Sequence, residues 1–128
     1  MYFIDAKAPT IRSLLVGTGG VTKGDLLIWS SNTVVRAAAA ASDATIVGIA
    51  MEAAVDTAMC LVDVGLDRVI RSEYAGTASN LATNKIYDLT DANTVNIDDV
   101  TDGIFYCVGY NSTAKTIDGI ITHAHRLI

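Results

Sequence analysis

Apolar residues in this chain come in short runs, broken by glycine, asparagine and aspartate. The runs Thr10 to Val16, Leu26 to Ser30, Val34-Val35, Thr45 to Met51, Ala58 to Val64, Lys85 to Tyr87, Phe105 to Tyr110 and Thr116 to Ile128 carry β-branched, leucine and aromatic side chains between turn signals, which reads as strand. Thr45 to Met51 is continuously apolar, as suits a strand buried on both faces. Asp67 to Tyr74 fails strict alternation, because Val69 and Ile70 are adjacent and flanked by Arg68 and Arg71; it reads as an edge strand. Ala37 to Ala41 has helical propensity but is too short to stand alone as a helix, so it reads as strand or loop. Ser79 to Ala82 has room for one helical turn. The spacing predicts nine or ten short strands, an all-β sandwich or barrel with strands every 8–12 residues or so.

The pattern is also written twice. Asn32-Thr33-Val34 recurs as Asn93-Thr94-Val95 and Val47-Gly48 recurs as Val108-Gly109, both 61 residues on. In each copy a strand-like run precedes the Asn-Thr-Val and an acidic loop, through Asp43 or Asp102, separates it from the Val-Gly. Shared order and shared spacing predict a duplicated β unit, roughly 24–64 and 85–125. No linker divides the copies, so they are expected to share one core in a single β domain over 13–128, preceded by an extended N-terminal arm over 1–12.

Composition narrows the picture. At 128 residues and 51% hydrophobic, the chain can bury a core of its own, and with one Trp, five Tyr and two Phe that core must be mostly aliphatic. The net charge of −5 comes without a basic cluster, which suits neither a nucleic-acid backbone nor an anionic membrane. No apolar run approaches the roughly 20 residues of a membrane-spanning helix, and the start of the sequence lacks the order of a signal peptide. A cytoplasmic place of synthesis and assembly is expected. Cys60 and Cys107 each sit inside an apolar run and read as buried thiols.

Candidate chemistry is thin. Gly17 to Gly24 is glycine-rich, but Gly24 follows Lys23 where a phosphate-binding loop needs Ser or Thr, and the dinucleotide pattern fails at Thr22. His123 and His125 share one face of a strand, yet no third metal ligand is signalled, and solvated histidines are the better reading. Asp88, Asp91, Asp98, Asp99 and Asp102 form an acidic cluster, but only Asp98, Asp102 and Gly103 fall at positions of a calcium loop, so turn capping is expected of the aspartates. No cofactor, metal or catalytic residue is assigned, and the chain is read as a non-enzyme. Trp29 is expected to anchor the core or an interface. Tyr2, Phe3, Ile4 and Pro9 are apolar residues at a terminus without an evident partner, and with Trp29 they are the candidate partner-binding residues.

Three stretches carry a resemblance: Lys23-Gly24-Asp25-Leu26-Leu27 leading into Val34-Val35; Ile46-Val47-Gly48-Ile49-Ala50-Met51-Glu52-Ala53-Ala54; and Lys85-Ile86-Tyr87 followed by Val108-Gly109-Tyr110 and a closing strand. In this order they resemble small capsid decoration (cement) or head-stabilisation proteins of tailed bacteriophages. The resemblance implies a virion protein on the capsid exterior. It would bind the major capsid protein of an assembled shell, self-associate as a trimer or other small oligomer, and brace contacts between coat subunits. The N-terminal segment is then the expected contact, adding a strand to a coat-protein sheet. Two alternatives are of other classes: a carbohydrate- or ligand-binding β-barrel module with Tyr74, Tyr87, Tyr106 and Tyr110 as a platform, and an enzyme using His123 and His125 with Asp118.

Overall fold

The computed structural model describes residues 1–39, 41 and 45–122. Its strands are β1 (Tyr2–Phe3), β2 (Ile11–Leu15), β3 (Leu26–Ser30), β4 (Thr33–Arg36), β5 (Ile46–Ala50), β6 (Met59–Asp63), β7 (Ile70–Ala75), β8 (Ile86–Asp91), β9 (Thr94–Asn96), β10 (Phe105–Asn111) and β11 (Thr116–Ile121), with a 3-10 turn at Ala78–Asn80. The expected all-β class holds. The strand beyond the expected nine or ten comes from the N-terminal segment, where β1 pairs antiparallel with β7.

The duplication is visible in the strand order. Strands β2 to β6 form a five-stranded sheet in the order β2-β6-β5-β3-β4, which a parallel bridge between Val16 and Val34 closes into a barrel. Strands β7 to β11 repeat that order as β7-β11-β10-β8-β9, closed by parallel pairing of β7 and β9 with Tyr74 opposite Val95. Each repeat begins one strand earlier than the sequence motif indicated, at β2 and at β7.

One half of the sequence repeat is a true equivalence and the other is not. Thr33 lies opposite Ser30 and Thr94 opposite Asp91, so the two Asn-Thr-Val motifs start the return strands of matching hairpins. Val34 and Val95 are both buried. The Val-Gly pairs do not match. Leu26 of β3 lies opposite Ile49, whereas Tyr87, at the same place in β8, lies opposite Phe105 and not Tyr110. The register of β10 has moved along β8, and this puts Val108 on the surface while Val47 is buried. A Cβ on Gly48 would collide with the Asp63 carbonyl oxygen, while one on Gly109 meets nothing within 4 Å. Gly48→Ala is therefore expected to cost about 1–3 kcal/mol by overpacking, and Gly109→Ala close to nothing. Urea denaturation of the two variants checks this, and equal costs would contradict the register described.

The reading of residues 67–74 as an edge strand is corrected. β7 pairs with three strands: β11 lies along one edge, and β1 and β9 divide the other. The flanking arginines mimic a solvated edge, but both are paired. Arg68 is buried against Asp63, and Arg71 donates to Asp118 through Nε and Nη2 at 2.8 and 2.9 Å. Charge that is matched within the fold does not mark an edge.

Two apolar clusters hold the structure together. Val16, Leu27, Val34, Val47, Cys60 and Val62 fill the first barrel. A larger cluster takes Tyr87, Leu89, Val95, Phe105, Ile117 and Ile121 from the second half with Leu26, Ile46 and Ile49 from the first, so the copies share a core across their junction. Each large aliphatic side chain so buried contributes about 1.5–3 kcal/mol. The Leu26 amide also donates to the Ala92 carbonyl across the junction at 2.6 Å. Ala37 and Ala41, at the ends of the alanine run, are buried in this shared core. Ala38 and Ala39 lie in loop, as short alanine side chains without a helix of adequate length allow.

Candidate interaction surface

Among the described residues, most of the candidate chemical groups have a structural occupation. Asp98 accepts hydrogen bonds from the Thr77 amide at 2.8 Å and from Asn80 Nδ2 at 2.7 Å; Asp99 accepts from the Thr101 amide and hydroxyl; Asp91 accepts from the Asn93 amide. These are the turn caps expected. The Thr77 amide holds the Asp98 carboxyl below its usual range, and the Thr101 hydroxyl does the same for Asp99. Among the described residues no group of three or more His, Cys, Asp or Glu side chains is placed to hold a metal ion. Cys60 and Cys107 are buried free thiols, and burial raises both above the ordinary thiol pKa, which keeps them protonated and poorly nucleophilic. His123 and His125 lie outside the described residues, and both Asp118 oxygens are taken by Arg71.

Asp88 differs from its neighbours. Its Oδ1 accepts from the Asp102 and Gly103 amides at 2.8 and 2.7 Å, but burial pushes its pKa up, outweighing those bonds. A raised native pKa means that its stabilising contribution is complete below the ordinary value of 3.8 and is lost as pH rises through the raised one. Asp88→Asn keeps an oxygen acceptor without the charge. The variant is expected to melt above the wild type at pH 7, with the gap closing as pH falls below the ordinary carboxyl range. Melting curves at both pH values check this; a gap that persists in acid would mean that charge is not the cause.

The candidate partner-binding residues fall in different places. Phe3 is half-buried, packed against the shared core, with the Arg68 guanidinium 3.7 Å from its ring centroid. Tyr2 pairs across from Arg71, and the Ile4 amide donates to the Val69 carbonyl at 3.0 Å, so residues 2–4 are docked on the second barrel, and residues 11 and 12 belong to β2. Tyr2, Ile4 and Pro9 remain exposed. Trp29 is half-buried on the first barrel's core, as a core anchor. Of the tyrosines weighed as a sugar platform, Tyr87 is fully buried, its hydroxyl accepting from the Ala82 amide at 2.9 Å, while Tyr110 is exposed. The stretches that carry the family resemblance are largely internal. Asp25 is buried, pairs with Arg36 at 2.9 Å and accepts from the Thr22 amide at 2.8 Å, pinning the turn before β3. Gly24 in that turn has φ +89°, a conformation that favours glycine.

The surface that stands out was not singled out from the sequence. On the outer face of β2 and β6, Ile11 is 43% exposed, Leu15 42%, Met59 55% and Leu61 43%. Leu15 lies opposite Met59 and Ser13 opposite Leu61. Val55, 73% exposed on the β5–β6 connection, extends the patch, and an open depression of about 420 Å³ runs beneath it, lined by Val21, Glu52, Ala53, Ala54, Val55, Ala58 and Met59.

The duplication supplies an internal control. The equivalent cross-strand pairs on the second barrel are Glu73 opposite Thr116 and Arg71 opposite Asp118. At these two pairs the first barrel presents Leu15, Met59 and Leu61 with Ser13, and the second presents an ion pair with Glu73 and Thr116. The fold does not require the apolar version. Large apolar patches on a protein surface are characteristic of interaction sites, which makes this face the candidate. A sequence signal existed. In β2 and β6 apolar residues occupy both alternation faces, which reads as burial on both sides; only comparison with residues 70–75 and 116–121, where one face is polar, separates an outward apolar face from an inward one.

Among the described residues no helix is long and apolar enough to cross a membrane. Compared with known proteins, the chain matches no family model and no curated protein sequence.

Proposed function

We propose that the chain is a capsid decoration protein that binds the outer surface of an assembled tailed-phage head through the β2–β6 face and braces contacts between coat subunits. The observation that carries this reading is the apolar dressing of that face where its duplicated counterpart is polar. Among the described residues, Asp88, Asp98, Asp118 and both cysteines are engaged in turns, an ion pair and the core, which fits a protein whose work is to bind. Burying apolar surface stabilises a contact by about 25 cal/mol per Å², and a specific interface buries about 800 Å² per partner. Repeated over every equivalent position of a shell, even a modest gain per copy reinforces the whole. The net charge of −5 leaves the remaining surface polar and self-repelling, which favours binding through one face over aggregation.

The test is co-sedimentation of the purified chain with undecorated heads of its own virus, followed by thermal melting of the decorated heads. Saturable co-pelleting with a raised melting temperature is expected. A chain that stays in the supernatant at micromolar concentration removes the proposal.

A further inference from the structure

The two barrels are built alike but finished differently along one edge. In the second barrel β9 pairs with Glu73 to Ala75 on the outer edge of β7, and β1 takes the rest of that edge at Ile70 and Arg71. In the first barrel β4 reaches the outer edge of β2 at Val16 and through the Gly17 amide, which donates to the Val34 carbonyl at 2.9 Å. Among the described residues no strand pairs with the remainder of that edge, from Ile11 to the Leu15 amide. Among the described residues no strand fills on β2 the place that β1 fills on β7.

The backbone groups there point outward. The Thr10 carbonyl accepts from the Val64 amide at 2.8 Å and the Val16 amide donates to the Ala58 carbonyl at 2.9 Å, both on the β6 side, whereas the Gly17 amide turns the other way. Alternation along the strand then directs the amides and carbonyls of Ile11, Ser13 and Leu15 away from β6. Ile11 stands five residues before the closing residue Val16, as Val69 does before Tyr74, and Val69 is the carbonyl that accepts from the Ile4 amide at 3.0 Å. On the first barrel the Ile11 carbonyl accepts from Arg12 Nη1 at 3.1 Å, so a side chain holds the position a strand takes on the second. The edge also borders the apolar face, with Ile11 and Leu15 belonging to both.

We infer that the outer edge of β2 accepts an extended segment of the coat protein as an added antiparallel strand, as the edge of β7 accepts β1. The naming of the coat protein rests on the proposed function; the open edge does not. The occupant carries bulky apolar side chains, because it must pack beside Ile11 and Leu15, and because the segment that fills the matching place on the second barrel is Tyr2–Phe3. Strand addition of this kind takes affinity from the main chain and selectivity from the flanking side chains.

Hydrogen exchange of the full chain tests this with two probes: a synthetic peptide of the chain's own first seven residues, and undecorated heads. With saturating peptide the Ser13 and Leu15 amides are expected to exchange about tenfold more slowly, and with heads to be protected as well. Ser13→Pro removes an outward amide and no barrel hydrogen bond; it is expected to abolish both effects with the fold intact by circular dichroism. Should that variant unfold, Leu15→Lys opposes the same edge with an exposed charge. Protection that is missing, or confined to Arg71 where peptide has replaced β1, overturns the inference. A solution dimer that Ser13→Pro dissolves also overturns it, by giving the edge to a second copy. Heads that bind Ser13→Pro at full strength remove strand addition and leave the proposed function standing. Heads that bind neither form remove the function, while the peptide still decides the edge.

Discussion

Arg68→Met is expected to destabilise the chain by about 3–5 kcal/mol, the cost of leaving one partner of a buried ion pair uncompensated. Arg68 is 3% exposed and its partner Asp63 5%. The guanidinium does more than pair. Nε donates to the Gly65 carbonyl at 2.9 Å, Nη1 donates to the Lys7 carbonyl at 3.3 Å, and the group lies over the Phe3 ring. One side chain thus ties together the end of β6, the connection between the barrels and the N-terminal strand. Asp63 is anchored from the other side by the Thr10 and Gly65 amides at 3.2 and 3.1 Å, so it cannot swing out to water when the arginine is lost. Typical domain stability is about 5–15 kcal/mol, so the variant loses a large share of it. Pairing Arg68→Met with Asp63→Asn removes the stranded charge and is expected to recover part of the loss, a coupling that a double-mutant cycle in urea measures. A single-variant cost below about 1 kcal/mol would mean that the pair is not buried as described.

The largest functional effect is expected from Met59→Glu with Leu61→Glu. Placing two carboxylates in the centre of the β2–β6 face is expected to weaken binding to heads about a hundredfold, as loss of two central apolar anchors does at other interfaces. Both side chains are about half exposed, so the chain's own stability should change by no more than about 0.5 kcal/mol per site. Val108→Glu is the matched control. Val108 is 42% exposed but belongs to the second barrel, and its substitution is expected to leave binding unchanged. Retained binding by the double variant would move the contact away from this face.

A residue whose role is local is legible in the sequence. Short apolar runs between turn residues identified the strands, because alternation and β-branching depend on near neighbours. The Asn-Thr-Val repeat found the duplicated hairpin, and the Asp-rich turns were read as caps because an Asp carboxylate reaches its own backbone amides. Cys60 and Cys107 were legible as buried thiols from their apolar settings.

What failed depended on partners distant in sequence. Val108-Gly109 matches Val47-Gly48 letter for letter, yet a strand's register is set by what it packs against, and β10 packs against β8 in a different register from β5 against β3. Arg68 and Arg71 look like solvated charges until Asp63 and Asp118 are brought beside them from other strands. Ile11, Leu15, Met59 and Leu61 look like core until the barrel closes with them outside. The sequence by itself determined the β class, the positions of the strands and the doubling, because side-chain periodicity and turn chemistry act over a few residues. Only the tertiary structure decided which apolar face turns inward, which charges are paired and which edge has no strand beside it among the described residues, because each of those is settled by the long-range closure of a barrel.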